Sequence, residues 1–360
     1  MVKWRTPPGV SHPRSVPVPP VLIERPAPPA VRSRYRRVAV LVTAIALLAV
    51  AIVLSLAVGA RPLSPSQAWH GLVDPQAESY SVVREMRLPR TLLGLAVGAA
   101  LGLAGGVMQA LTRNPLADPG LLGINAGASA AVVSAIAFAG VGSLGGYVWF
   151  AFAGAAIVAV GVWLVGGGRS ATPGRLALAG AAINAVLFAY VSAVQLLDTA
   201  SLDAMRFWTV GSLAAARPET PAQIAPFIAV GFVLTAVLAR PLNALALGDD
   251  TARALGASPA LVRVLAIAVI TLLCGAATAA CGPIVFIGLL VPHLVRPLTG
   301  PDLRWLLACS AFLAPLMLLA ADILGRVLAR PSEIQVGIVT AVAGGTFFVY
   351  AVRRTRAVAA

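Results

Sequence analysis

A glycine stands at every fourth position from Gly94 to Gly106 inside an apolar run, RLPRTLLGLAVGAALGLAGGVMQALTRNPLADPGLLGINAG, that covers Arg87–Gly127. That spacing places Gly94, Gly98, Gly102 and Gly106 on one face of a helix. In a soluble core such a stripe is a liability, because each buried glycine costs helix stability relative to alanine. In lipid it lets two helix backbones approach closely, the small-xxx-small mode of membrane packing. The polar turn NPLADPG interrupts the run, and a second Gly/Ala-rich apolar segment follows. The stretch therefore predicts two packed membrane spans joined by a structured turn.

The rest of the chain agrees. Of its 360 residues, 59% are hydrophobic and 11% charged, and the mean hydropathy is +0.89. A soluble domain of this size cannot hide that much apolar surface. With roughly 20 apolar residues per span, about ten spans fit. They fall near 38–58, 90–112, 121–141, 146–166, 176–197, 222–240, 262–281, 283–297, 304–324 and 334–352. The fold class expected is all-α and polytopic. Such chains are transporters, channels or intramembrane enzymes.

The net charge of +14 does not form one basic face. With the N-terminus cytoplasmic, ten spans sort 19 Lys/Arg inside and 8 outside, as insertion requires. This excludes nucleic acid as the natural partner. Residues 1–37 carry nine prolines and end in RSRYRR, which predicts a disordered cytoplasmic arm whose basic end orients the first span or meets anionic lipid. The arm lacks the apolar run and cleavage site of a signal peptide, so the 38–58 span is expected to be retained. Residues 38–354 form the transmembrane domain and 355–360 a cytoplasmic tail. Cys274, Cys281 and Cys309 lie in apolar spans and read as small buried hydrophobes. His12, His70 and His293 are isolated, without metal-ligand spacing.

Two outside loops are long, about 59–89 and about 198–221; FWTVGSL in the second reads as a short re-entrant or interfacial helix. On the inside, 241–261 is the one sizeable element between spans. Asp249, Asp250 and Thr251 offer N-cap chemistry, Gly256 a C-cap, and Pro259 blocks continuation. One or two short helices are expected there, with Leu247, Ala252 and Leu255 projecting on one side as a knob for a partner protein. All thirteen carboxylates fall in the arm, in loops or near span ends, Asp322 among them at the outer end of the ninth span. An ion-coupled carrier keeps an ionisable group inside the bundle. The polar residues available there are neutral: Gln109, Asn125, Asn184, Gln195 and Thr209. There is no Walker A motif. The simplest reading borrows ATP hydrolysis from another subunit.

Five blocks in order carry a family resemblance: the Arg87–Gly127 run, FWTVGSL, LNALALGDDTARALG, GPIVFIGLLVPHLVRPLTGPDLR, and ADILGRVLARPSEIQVGIVTAVAGGTFF. Over about 38–354 the chain resembles the FecCD-type permeases of type II ABC importers, which carry iron–siderophore complexes, haem or vitamin B12. The resemblance implies a homodimer or close heterodimer of ten-span subunits in the bacterial inner membrane. It also implies two ATPase subunits that hold ATP and Mg, an exported substrate-binding protein, and no cofactor on this chain. By the same resemblance Leu247, Gly248, Asp249, Asp250, Ala252, Arg253, Leu255 and Gly256 form the ATPase-coupling element. Arg87, Arg90 and Arg326 match binding-protein docking positions, and exposed arginines at a span's outer edge would suit that task. Asn114 and Leu116 match an inner gate. The chain departs from the family pattern at Thr346, at Leu303, and at Pro173 and Gly174.

The expected function is thus a non-enzymatic permease subunit that imports a chelated metal, most simply an iron–siderophore complex. Haem or vitamin B12 import uses the same machinery. An ion-coupled secondary carrier would need a coupling carboxylate at depth, and an intramembrane enzyme would need paired catalytic groups there.

Overall fold

The computed structural model describes residues 30–59, 62–141, 144–168, 172–206 and 208–359, and every regular element among them is helical. In chain order these are α1 (Ala30–Ala57), α2 (Pro65–Val73), a π-helical turn (Ser81–Arg87) running into α3 (Leu88–Thr112), a 3-10 turn (Pro119–Leu122), α4 (Ile124–Ala139), α5 (Leu144–Val165), α6 (Pro173–Leu197), α7 (Thr199–Met205), α8 (Thr220–Ala246), α9 (Asp249–Ala254), α10 (Pro259–Cys281), α11 (Ile287–Thr299), α12 (Leu303–Leu328) and α13 (Val336–Ala359). Seven helices are long and apolar enough to cross a membrane, and three shorter apolar stretches, Ile124–Ala139, Ile287–Thr299 and Val336–Tyr350, occupy the remaining expected positions.

The expected arm over 1–37 lies outside the described residues up to position 29, and its last residues begin α1. The long 59–89 connection is largely helical. Ser64 caps α2 in a reciprocal capping box with Gln67, and α3 gains the π-turn at its start. FWTVGSL is not a helix over its described residues; the short helix is α7, just before it. Gly211 then turns at φ 79°, and the non-helical segment is pinned where Ser212 N–H donates to Cys281 O and Gly337 N–H donates to Gly211 O.

α3 is the central helix, and its glycine face lies along α12. A Cβ on Gly94 would meet Leu319, one on Gly98 the backbone of Pro315, one on Gly102 the Ser310 carbonyl and Ala314, and one on Gly106 Leu306 and Leu307. The two helices therefore run antiparallel in close contact for four turns. Gly105, one position off the stripe, faces α11, and its Cβ would lie 1.8 Å from Gly288 O.

That second contact explains why α4 and α11 are short. A Cβ on Gly288 would meet both Leu101 O and Pro119, so the NPLADPG turn has climbed back beside the middle of α3. With a rise of 1.5 Å per residue, Leu101 to Gly105 lies roughly 10–16 Å inside the end of α3 at Thr112. The connection is re-entrant, and α4 starts within the bundle. Its irregular backbone is tolerated at that depth because it is buried in protein. α11 likewise begins at depth, after the non-helical stretch 282–286.

The lipid-compatible exterior is plain on α5, α6 and α8, where Ile157, Leu178, Leu196 and Val237 are exposed. Gly98→Ala is expected to destabilise the bundle by about 1–3 kcal/mol, because its new methyl would sit 2.5 Å from Pro315 Cα, a backbone atom. Gly161→Ala, with open space around it, should be neutral or slightly stabilising. Thermal unfolding in detergent checks the pair; equal midpoints would contradict the packing.

Candidate functional site

At one end of the bundle the π-turn, α3 and α12 bring Arg87, Arg90 and Arg326 around the last turn of α1. Arg90 donates Nε to both Asp322 oxygens at 3.1 Å and Nη2 to Oδ1 at 2.7 Å. Its Nη1 reaches Glu333 at 2.6 Å. Arg326, one helical turn after Asp322, donates Nε to Oδ2 at 3.0 Å and Nη2 to the same oxygen. The α1 carbonyls left without intrahelical partners are taken up by these cations. Arg326 Nη1 donates to Ser55 O and Val58 O, and Arg87 Nη1 donates to Leu56 O and Ala57 O. Cations also suit the negative end of the α1 dipole. Arg326 Nη2 extends the network to Ser55 Oγ, which bonds Thr91 Oγ1.

The structure corrects the expectation that these arginines stand exposed on a rim. Arg87 is 6% exposed and Arg326 1%, and Arg90 keeps only 12% of its side chain accessible. A guanidinium taken out of water in this way must be paired, and the carbonyls and carboxylates beneath these arginines supply the partners. Asp322 bridges Arg90 and Arg326, and Glu333 takes the Nη1 of Arg90. Sequence reasoning missed Glu333, Ser55 and Thr91; only the Asp322/Arg326 spacing of four signalled a helical ion pair.

The re-entrant turn starts at the end of α3 opposite the arginine cluster. Arg113 caps α3 in the left-handed region, at φ 52°. Asn114 Oδ1 accepts from Leu116 N–H at 2.9 Å, the Asx geometry that its side chain and Pro115 favour. Asp118 Oδ1 then accepts from Gly120 N–H at 2.7 Å and caps the 3-10 turn. Asp118 lies against Leu101 and Cys274, which corrects the expectation that no carboxylate sits at depth. Its visible task is the cap. Asn184 of α6 donates to Gly120 O at 3.3 Å, Thr278 of α10 donates to Asn125 Oδ1 at 2.9 Å, and Gln109 donates to Leu289 O at 3.0 Å. These neutral polar groups thus bond between segments. Asn114 is exposed and Leu116 half-buried.

At the end opposite the arginine cluster lies the 241–261 element. α8 runs straight through Pro241 to Ala246, so the separate helical piece is α9 alone. Its N-cap is Gly248 at φ 111°, with Asp249 and Asp250 in the first turn rather than at the cap. Gly256 closes it at φ 81°, its N–H donating to Arg253 O and that of Ala257 to Ala252 O. Leu247 and Leu255 are 68% and 64% exposed, whereas Ala252 is fully buried. The expected three-residue apolar side is therefore two exposed leucines on a base held by Ala252. Arg253 and Asp250 pair at 2.6 Å on the outer face. Asp249 receives Arg263 Nη2 at 2.7 Å and Arg113 Nη2 at 2.9 Å. The Arg263 hydrogen bond, chiefly, holds the Asp249 carboxyl below the usual carboxylate range, so the bridge is complete at neutral pH and is lost only as pH falls below that range.

A polytopic helical bundle with a re-entrant turn and a small helix outside its spans is an architecture that suits a membrane permease. The model of the FecCD transport family matches residues 47–354, and the chain belongs to that family. It is 45% identical to the ferric enterobactin transport system permease protein FepD of Escherichia coli K12, over 86% of this chain and 93% of that one. To the Fe(3+)-citrate import system permease protein YfmD of Bacillus subtilis 168 it is 38% identical, over 84% and 91%. The hemin transport system permease protein HmuU of Yersinia pestis is 37% identical, over 83% and 90%. A solved metal-chelate type ABC transporter in an inward-facing conformation superposes with a TM-score of 0.77 at 30% identity, covering 88% of this chain and 99% of that one.

Asp322→Asn is expected to cost about 3–5 kcal/mol, since it leaves two buried guanidinium groups under-compensated. Glu333→Gln, whose side chain is 29% exposed, should cost about 1 kcal/mol or less. Thermal midpoints of the purified protein decide; a mild Asp322→Asn would contradict a buried network.

Proposed function

We propose that this chain is the membrane permease of an ATP-driven importer of a chelated metal, with an iron–siderophore complex as cargo. The observation that carries the reading is α9. It is a six-residue helix displayed beyond the spans, anchored by Ala252 and Asp249 and presenting two leucines outward, a surface that suits a groove on a hydrolysing partner. The chain has no nucleotide motif of its own, so ATP and Mg belong to two ATPase subunits, and this chain needs no cofactor. The α9 end is then cytoplasmic, with the N-terminus, and the arginine cluster faces out from a bacterial inner membrane. The exposed apolar face of α6, with Leu178, Val186 and Leu196, suits a second permease subunit.

Docking of a cargo-loaded binding protein is read onto the arginine cluster, with one refinement from its burial. Arg90 is the member whose partner is itself accessible, so an incoming carboxylate would exchange with Glu333. Arg87 and Arg326 would then shape the site from beneath, through the α1 carbonyls. Cargo that arrives already chelated needs no fixed charge in the passage; Asp118, the carboxylate at depth, is engaged in capping the 3-10 turn. Ferric enterobactin, ferric citrate and haem, the ligands named for the relatives, are the natural probes.

In liposomes holding the chain with its ATPase and binding protein, uptake of ferric enterobactin is expected to require ATP. Arg90→Gln should lower it about tenfold, the scale of one lost charge-assisted pair. Glu333→Gln should preserve uptake or tighten binding-protein association. Uptake at full rate without the ATPase would overturn the importer reading. Undiminished uptake by Arg90→Gln would remove the docking role.

A further inference from the structure

α9 is bracketed by glycines. Gly248 and Gly256 take φ values of 111° and 81°, and neither has a neighbouring atom within reach of an added Cβ. Its backbone connections to α8 and α10 are therefore permissive joints. Apart from the packing of Ala252, what fixes the helix in place is a carboxylate. Asp249, on its first turn, receives Arg263 Nη2 from α10 at 2.7 and 3.0 Å and Arg113 Nη2 from the end of α3 at 2.9 Å. Arg113 Nη2 also donates to Leu245 O in the last turn of α8, at 2.6 Å.

Arg113 reaches both acceptors from an unusual backbone. A left-handed φ is uncommon for a long side chain, and here it ends α3 and opens the re-entrant turn in a single residue. The next residue is Asn114, whose amide N–H donates to Gln109 O and whose side chain fixes Leu116. The strut to α9 and the Asn114–Leu116 turn thus start at adjacent residues. The strut is also weak enough to rearrange. The Arg113 and Asp249 side chains are 45% and 30% exposed, and pairs of that kind contribute little to global stability.

We infer that the Arg113–Asp249 pair is the strut through which a displacement of α9 repositions the Asn114–Leu116 turn, with Arg113 as a positioning residue. This rests on the importer reading, in which α9 meets the ATPase. Displacing α9 about its glycine joints carries Asp249 with it. Asp249 draws the Arg113 guanidinium, and the αL residue passes the motion to the turn. Arg263 conveys the same displacement to α10, so one carboxylate would serve two elements.

The test uses the complete assembly of chain, ATPase and binding protein in liposomes. A Leu116→Cys reporter is labelled by a maleimide, with and without ATP; the native cysteines are buried. The ATP response of labelling is expected to fall about tenfold in Arg113→Gln and in Asp249→Asn, and no further in the double variant, while in Arg113→Gln the ATPase still co-purifies and hydrolyses. An unchanged response in Arg113→Gln would overturn the proposal, as would effects that multiply in the double variant. Loss of ATPase co-purification in Arg113→Gln would also overturn it, by assigning the residue to assembly. Labelling that ignores ATP in the reporter with no other change, together with no ATP-dependent uptake, would count against the importer reading instead.

Discussion

The contact on which the rest of the structure depends is the glycine face of α3 against α12. Because Gly94, Gly98, Gly102 and Gly106 present no side chain, the two backbones approach over four turns, and dispersion between close-packed atoms replaces the hydrophobic drive that lipid cannot supply. Both regions of functional interest sit on the ends of this pair. The start of α3 with the end of α12 holds Arg90, Asp322 and Arg326. The end of α3 holds Arg113, the first residue of the re-entrant turn and the partner of Asp249.

This arrangement separates rigid from movable parts by physical means. At Gly98 and Gly102 the α3–α12 contact is backbone against backbone and cannot yield by rotamer changes. The re-entrant turn and the start of α4 are held by neutral hydrogen bonds from Asn184 and Thr278. α9 is held by half-exposed ion pairs between glycine joints. A machine that must move one end without losing its fold needs such a gradient, since low-stability elements are where motion is available. The arginine cluster is the opposite case, a largely buried network in which Arg87, Arg90 and Arg326 each bond named acceptors.

Much of the fold was legible in the sequence because its determinants are local. Apolar run length located the spans, and the glycine spacing identified the helix that packs most closely. Gly256 at the end of α9 and the proline-bracketed turn after α3 were likewise visible as punctuation. What was not legible depends on partners remote in sequence. The arginines of RLPR look like surface anchors until Ser55–Val58, Asp322 and Glu333 are brought over them. Asp118 looks like a loop residue because nothing in NPLADPG announces that the turn climbs back beside Leu101. Ala252 was assigned to the projecting face of α9 because a six-residue helix gives too short a pattern to tell its inner side from its outer one.

The central claim is that α3 and α12 form one fixed spine on which both ends are mounted. It is tested most directly by the distance between spin labels at Leu92→Cys, near the start of α3, and Arg304→Cys, at the far end of α12. The glycine register places them about 25 Å apart along the axis. The account predicts one narrow distance distribution, unchanged between the nucleotide-free and ATP-bound assembly. A distribution that shifts or splits on ATP binding would contradict it.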